Sequence, residues 1–104
     1  MQIQINTGKN IDGDERFAAY VTEKVQTQLG RFGEWVTRIE VHLSDENAGK
    51  GGADDKRCTI EARVEGKQPT AVHHDASTVQ EAVAGACDKL KHSLDRTIGK
   101  LKEH

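Results

Sequence analysis

Residues 78–104, TVQEAVAGACDKLKHSLDRTIGKLKEH, predict a long amphipathic helix. At about 100° per residue, the apolar residues of this segment fall on one side of the helix. That side consists of Val79, Val83, Ala86, Leu90, Leu94 and Leu101. Ser77 with Gln80 three residues later resembles a capping box, in which a hydroxyl side chain accepts a hydrogen bond from a free backbone N–H group. A helix with one apolar side must cover another apolar surface, and we expect the rest of the chain to supply it.

A second amphipathic helix is predicted near the N-terminus. Asp12 with Glu15 resembles another capping box, and Gly33 is expected to end the helix. Between these positions the apolar residues recur at helical spacing, and they are Phe17, Val21, Val25, Leu29 and Phe32.

Four other segments alternate apolar and polar residues with the period of a β-strand. Residues 2–6 form the first. In residues 35–44, the second, one face would consist of Trp35, Thr37, Ile39, Val41 and Leu43. Residues 47–55 contain three glycines and are interpreted as a loop. The third strand would then place four residues on one face, namely Cys58, Ile60, Ala62 and Val64. Residues 68–76 form a weaker fourth strand, in which Pro69 cannot donate a ladder hydrogen bond and therefore indicates a strand start or a sheet edge.

The order of the predicted elements is β-α-β-β-β-α. A sheet with apolar residues on one face needs a cover, and the two helices can provide it. We therefore predict an α+β fold with two layers, in which a four-stranded sheet is covered on one face by two helices. The chain has 104 residues, which is the usual size of one domain. Residues 1–104 are accordingly expected to form a single domain.

Composition limits the classes of function. The net charge is -2, from 15 Lys and Arg against 17 Asp and Glu, so a nucleic-acid site would have to be a local surface. The sequence contains neither a secretory signal nor an apolar run of the roughly 18 residues that cross a bilayer, which predicts a cytoplasmic protein without a membrane partner. Cys58 and Cys87 lack metal-type spacing and are expected to be buried free thiols.

The predicted C-terminal helix has a row of basic residues beside its apolar side. Lys89, His92, Arg96 and Lys100 recur every three or four residues, which matches the spacing of phosphates along a nucleic-acid backbone. The alternative is a solvated helix face, in which Asp88, Asp95 and Glu103 form ion pairs with these cations along the helix.

The predicted first helix has a thinner row that consists of Tyr20, Lys24, Thr27 and Arg31. Tyrosine among cations suits RNA because its ring can stack on a base and its hydroxyl can reach a phosphate oxygen. The alternative for Tyr20 is a place at the rim of the core.

Catalytic patterns are weak. His73, His74 and Asp75 are consecutive, but neighbouring strand residues point to opposite faces, so both rings can hardly bind one metal ion. Residues 49–52, GKGG, lack the strand and the Ser or Thr of a phosphate-binding P-loop. We therefore predict a protein that is not an enzyme, with no cofactor, no metal and no small-molecule substrate.

Several segments match a pattern found in one protein family. They are MQIQI at 1–5, Gly8-Lys9-Asn10, YVTEK at 20–24, Asp88-Lys89-Leu90, Leu94, Arg96, Lys100-Leu101-Lys102 and His104. Together they resemble the ribosome hibernation promoting factors and the related ribosome-associated inhibitor, or sigma-54 modulation protein, in the short form of the family. The resemblance spans the whole chain.

The resemblance implies a β-α-β-β-β-α domain that binds the rRNA of the small ribosomal subunit in the decoding channel. It further implies inhibition of translation or stabilisation of idle ribosomes during stress, by a protein that is monomeric away from the ribosome. Lys24, Lys89, Arg96 and Lys100 would contact rRNA phosphates, His92 stands where the family often has Arg, and Tyr20 matches an aromatic position. The full predicted RNA-binding set is Tyr20, Lys24, Arg31, Lys89, His92, Arg96, Lys100 and Lys102.

The sequence also departs from this family. Thr78, Gln80 and Ala84 stand where the last helix usually starts with Asp, an aromatic residue and a second Asp. Thr97 and Ile98 replace residues that are commonly His or Lys. These departures and the acidic balance motivate an alternative, a protein-interaction or regulatory module that keeps the fold without ribosome binding. A reader of double-stranded RNA is a weaker third possibility.

Overall fold

A four-stranded sheet and two helices make up the computed structural model of the chain. The residues described are 1–8, 11, 13–46 and 55–102, with Lys102 described by its backbone alone. The predicted turn at Lys9-Asn10, most of the predicted loop over 47–55 and the end of the chain at His104 lie outside them. The elements are β1 (Gln2–Thr7), α1 (Glu15–Leu29), β2 (Val36–Asp45), β3 (Lys56–Val64), β4 (Thr70–Ala76) and α2 (Val79–Lys102).

The strands lie in the order β1-β2-β3-β4. β1 runs parallel to β2, whereas β2, β3 and β4 are antiparallel to their neighbours. A parallel connection needs a crossover, and α1 provides it between β1 and β2. α2 follows β4 directly and packs on β4 and β3. The predicted β-α-β-β-β-α order and the two-layer α+β fold are confirmed.

The core lies between the sheet and the helices. Val21, Val25 and Leu29 of α1 are buried, as are the predicted apolar residues of α2 from Val83 to Leu94. Ile98 is also buried, with 3% of its surface exposed. This position therefore belongs to the core, and a basic residue there would have to bury its stem beside Leu94.

Both cysteines are free and buried, as predicted. Burial raises the pKa of the Cys58 thiol to about 12, with a further contribution from Cys87. Both thiols are fully buried and pack in the core as small apolar residues.

The predicted inward face of β2 is confirmed at Ile39, Val41 and Leu43 but was wrong at Thr37. Thr37 is exposed and Val36 is buried, because the pairing of β2 with β3 shifts register between Val36 and Arg38. Such a bulge sets two residues against one and reverses the alternation locally. The hydroxyl of Thr37 instead donates to the backbone oxygen of Arg63 at 3.2 Å.

The predicted helix starts were wrong by one or two residues. Asp14 caps α1, since its Oδ1 accepts from the backbone N–H of Phe17 at 2.8 Å. Asp12 lies outside the described residues. Thr78 Oγ1, and not Ser77, accepts from the backbone N–H of Glu81 at 3.1 Å. α1 also ends earlier than predicted, at Leu29, and a short 3₁₀ turn over Gly30–Phe32 continues the chain.

α2 and β4 approach each other closely at one glycine. The imidazole of His74 on β4 lies against the backbone of α2 at Gly85, where a Cβ atom would overlap the ring. The absence of a side chain at Gly85 thus lets α2 settle close to the edge of the sheet. Neither helix, within the described ranges, is long and apolar enough to cross a membrane.

Candidate nucleic-acid interface

The two helices lie side by side and run in the same direction. Arg31, just after α1, contacts Asp95 of α2. Eight residues earlier on α2, burial raises the pKa of the Cys87 thiol to about 11, and the nearby charge of Lys24 opposes that rise. These two contacts show that Lys24 and Arg31 of the predicted α1 row face α2.

Several charges of α2 form two stripes, and Lys91 lies outside both. At about 100° per residue, Arg96 and Lys100 lie within about 20° of Lys89, and we call these three residues the outer stripe. Asp88 and Asp95 lie about 100 to 120° away from Lys89, on the side of α2 that faces α1. The acidic stripe therefore separates the two rows of cations that the sequence predicted.

The outer stripe lies along the free edge of the sheet. Lys89 Nζ donates to the backbone oxygen of His73 on β4 at 2.9 Å, which fixes the position of the stripe next to that strand. Arg96 and Lys100 are exposed, and within the described residues neither forms an ion pair or a side-chain hydrogen bond. Their charges are thus free to meet a polyanion.

His92 lies beside the outer stripe. Its Nδ1 is 3.9 Å from Asp88 Oδ2, and 71% of its side chain is exposed. This contact follows the alternative interpretation of the sequence, in which acids and bases pair along one helix. Lys102 extends α2, but its side chain is outside the described part of the chain.

The α1 row is partly neutralised. Arg31 Nη2 lies 2.9 Å from both carboxylate oxygens of Asp95, and its guanidinium stacks 4.4 Å above the centre of the Phe32 ring. Lys24 is half-buried, and no carboxylate pairs with it within the described residues. Tyr20 is 41% exposed and borders a shallow depression with Glu23, Lys24 and Thr27. Tyr20 is therefore a surface residue with an accessible ring.

Sequence reasoning missed the ion pair between Arg31 and Asp95. It considered Asp95 as a partner of cations on its own helix, whereas the actual partner, Arg31, is 64 residues away in the 3₁₀ turn that follows α1. The seven-residue spacing of Asp88 and Asp95 repeats that of Lys24 and Arg31, and this match was the available signal.

On the open face of the sheet, Arg57 forms ion pairs with carboxylates on either side of it. Arg57 bridges Asp75 at 2.8 Å and Glu46 at 3.0 Å. The hydrogen bond from Arg57 holds the pKa of Asp75 below its ordinary value. Opposite charges that satisfy each other in this way leave little free potential for a phosphate.

The histidine pair has no shared ligand geometry. His73 is exposed, whereas His74 packs against α2. The described residues include no group of three His, Cys, Asp or Glu side chains that could hold a metal ion.

Comparisons with known proteins place the sequence and the fold in context. Residues 4–102 match the family model described as sigma 54 modulation protein / S30EA ribosomal protein. The comparison with curated protein sequences gave no match.

Two solved structures resemble this fold. The N-terminal domain of Protein Y from Thermus thermophilus is 24% identical, with a TM-score of 0.74 over 93% of this chain and 99% of that one. A ribosomal subunit interface protein from Coxiella burnetii is 14% identical, with a TM-score of 0.74 over 95% of this chain and 99% of that one. At these identities the likeness concerns the fold.

Proposed function

The chain belongs to the sigma 54 modulation protein / S30EA ribosomal protein family, and on that premise we propose that it binds the small ribosomal subunit. The names of the family and of the Coxiella burnetii protein both refer to the ribosome. A ribosomal partner also suits a protein in which three cations share one side of one helix.

The outer stripe is the observation that supports this proposal most strongly. Arg96 and Lys100 are exposed on the helix side of the domain without a carboxylate partner among the described residues. Lys89 keeps its ammonium at the sheet edge through a single backbone acceptor. An ammonium group has three donors, so a phosphate oxygen can bind at the same time. Three cations along about 17 Å of helix can follow consecutive phosphates of one RNA strand.

In the proposed complex, the outer stripe contacts rRNA phosphates, with His92 and Lys102 at its margin. Tyr20 and Lys24 of the α1 row form a second contact, in which the tyrosine ring is available for stacking on a base. The domain occupies the decoding channel and thereby excludes messenger RNA and transfer RNA. Translation stops, and idle ribosomes are stabilised during stress in the cytoplasm. The protein acts by occupancy, as a monomer and without catalysis.

Sedimentation with purified small ribosomal subunits tests this proposal. The protein is expected to sediment with the subunits at low salt and to be released as the salt concentration rises, because each phosphate contact that forms displaces condensed counterions. The variant Arg96→Glu with Lys100→Glu should lower the affinity on the order of 100-fold, since two attractive contacts become repulsive. These two side chains are exposed and form no ion pair or side-chain hydrogen bond within the described residues, so the variant should fold normally.

Arg63→Glu is the matched control for Arg96→Glu. Arg63 is exposed on the open face of the sheet, and the substitution changes the net charge by the same amount. Equal losses of affinity from the two single variants would refute the outer stripe as the interface. Failure of the unmodified protein to sediment at low salt would instead favour a protein-interaction module.

A further inference from the structure

The ion pair between Arg31 and Asp95 connects the two helices at one end of the groove. One nitrogen of Arg31 lies 2.9 Å from both oxygens of Asp95, and the two side chains are 55% and 47% exposed. The pair borders a cleft of about 320 Å³ that Glu34 and Trp35 also line. Arg31 is thus a surface cation that already has an anionic partner.

We infer that Asp95 is a specificity-determining residue of the proposed RNA interface, because it withholds Arg31 from phosphate and leaves the outer stripe as the path for the RNA backbone. The inference rests on the proposed function. It assigns the acidic stripe a role that neither fold nor stability requires.

The chemistry of the pair supports this role. A carboxylate and a phosphate offer oxygen acceptors of similar geometry to a guanidinium group, so Asp95 and RNA compete for Arg31. An exposed ion pair contributes little stability, so a ligand that binds Arg31 strongly enough can displace Asp95. An arbitrary RNA must break the pair to gain this contact, whereas the outer stripe demands no such exchange.

The position of Asp95 adds a second effect. Asp88 and Asp95 share the side of α2 that faces α1, so a phosphate chain that continued from Tyr20 and Lys24 along the groove to Arg31 would pass two carboxylates. Because like charges repel, these carboxylates weaken the binding of an RNA that lies in the groove. They act against unsuitable partners and add no attraction for the proposed one. An RNA whose shape lets it follow the outer stripe avoids this repulsion.

Fluorescence anisotropy with a short single-stranded RNA of mixed sequence tests the inference. Asp95→Asn should bind this RNA about 3- to 10-fold more tightly than the unmodified protein at low salt, because Arg31 becomes available. The dependence of log K on log salt should steepen by about 0.7, which corresponds to one added phosphate contact.

Two control variants separate pairing from simple charge. Glu34→Gln removes the same charge from the same cleft, and Glu34 forms no ion pair within the described residues. It should change the RNA affinity by less than about twofold. In an Arg31→Gln background, Asp95→Asn should likewise have little effect, since the gain depends on Arg31.

Three results would overturn the inference. These are an unchanged RNA affinity of Asp95→Asn, an equal gain from Glu34→Gln, or a gain that persists without Arg31. Sedimentation of the same variants with small subunits distinguishes failure of this inference from failure of the proposed function. Asp95→Asn should change subunit affinity less than RNA affinity, whereas absence of subunit binding by the unmodified protein would reject the proposed function and leave the RNA result to be judged independently.

Discussion

The outer stripe and the α1 row contain similar basic residues, but their side chains have different neighbours. Lys89 of the outer stripe donates to a backbone carbonyl, and Arg96 and Lys100 face away from the domain. Arg31 of the α1 row faces Asp95 at 2.9 Å. Basic residues at helical spacing are therefore equivalent in sequence but not as binding groups, because the neighbouring element decides which charges remain available.

The largest expected effect on stability comes from a substitution that displaces α2 on the sheet. Gly85→Ala introduces a Cβ atom where the His74 ring lies, and the net cost is expected to be about 1 to 2 kcal/mol of unfolding free energy after the gain in helix propensity. Denaturant unfolding measures this change. Lys89 should shift with α2, which would weaken subunit binding as well.

Gly99→Ala is the matched control in the same helix. A Cβ atom there has no neighbour within 4 Å, so this variant should be stabilised by up to about 1 kcal/mol. Equal stability of Gly85→Ala and Gly99→Ala would contradict the close contact between His74 and the backbone of α2.

The second prediction compares one arginine from each row. Arg96→Gln should weaken subunit binding about 5- to 10-fold, whereas Arg31→Gln should change it by less than about twofold, because Asp95 already satisfies Arg31. Titration of labelled subunits with each variant gives both affinities. A loss from Arg31→Gln as large as that from Arg96→Gln would remove the distinction between the rows.

A third, smaller effect concerns the hydrogen bond from Lys89 to the backbone oxygen of His73, which holds the outer stripe beside β4. Lys89→Met removes the hydrogen bond to His73 and is expected to cost about 0.5 to 1 kcal/mol of stability, together with one phosphate contact. Lys89→Arg keeps a cation at this position and serves as the control in unfolding and binding measurements. Full subunit affinity in Lys89→Met would show that this ammonium contributes only to the fold.

The smallest expected effect lies on the open face, where charges are paired. The hydrogen bond from Arg57 lowers the pKa of Asp75 in the folded state, so the stabilising contribution is present above the unfolded pKa of about 3.9 and is lost as the pH falls below it. Acid unfolding of Asp75→Asn should show less pH dependence in this range. Subunit binding near neutral pH should remain unchanged in the same variant.

Periodicity in the sequence was sufficient to predict the architecture. Alternation identified the strands, and helical spacing identified the core positions of α1 and α2, because burial on one face imposes both patterns. The bulge at Val36 and Arg38 was not predictable, since it depends on pairing with β3. Cap positions were also missed, because several Asp, Ser and Thr residues near each helix start can accept the same hydrogen bond.

The site was less predictable than the fold. Helical spacing alone placed Lys89, Arg96 and Lys100 together, as the structure does. It could not show that Arg31 meets Asp95, because that contact depends on how two helices distant in sequence pack against each other. Ile98, first interpreted as the loss of a basic residue, is a core residue.

The salt dependence of subunit binding tests the central claim most directly. The slope of log K against log salt should be flatter by about 1.5 for Arg96→Gln with Lys100→Gln than for the unmodified protein, since two phosphate contacts are lost. An identical slope in the two proteins would show that the outer stripe does not contact rRNA phosphates and would contradict the account.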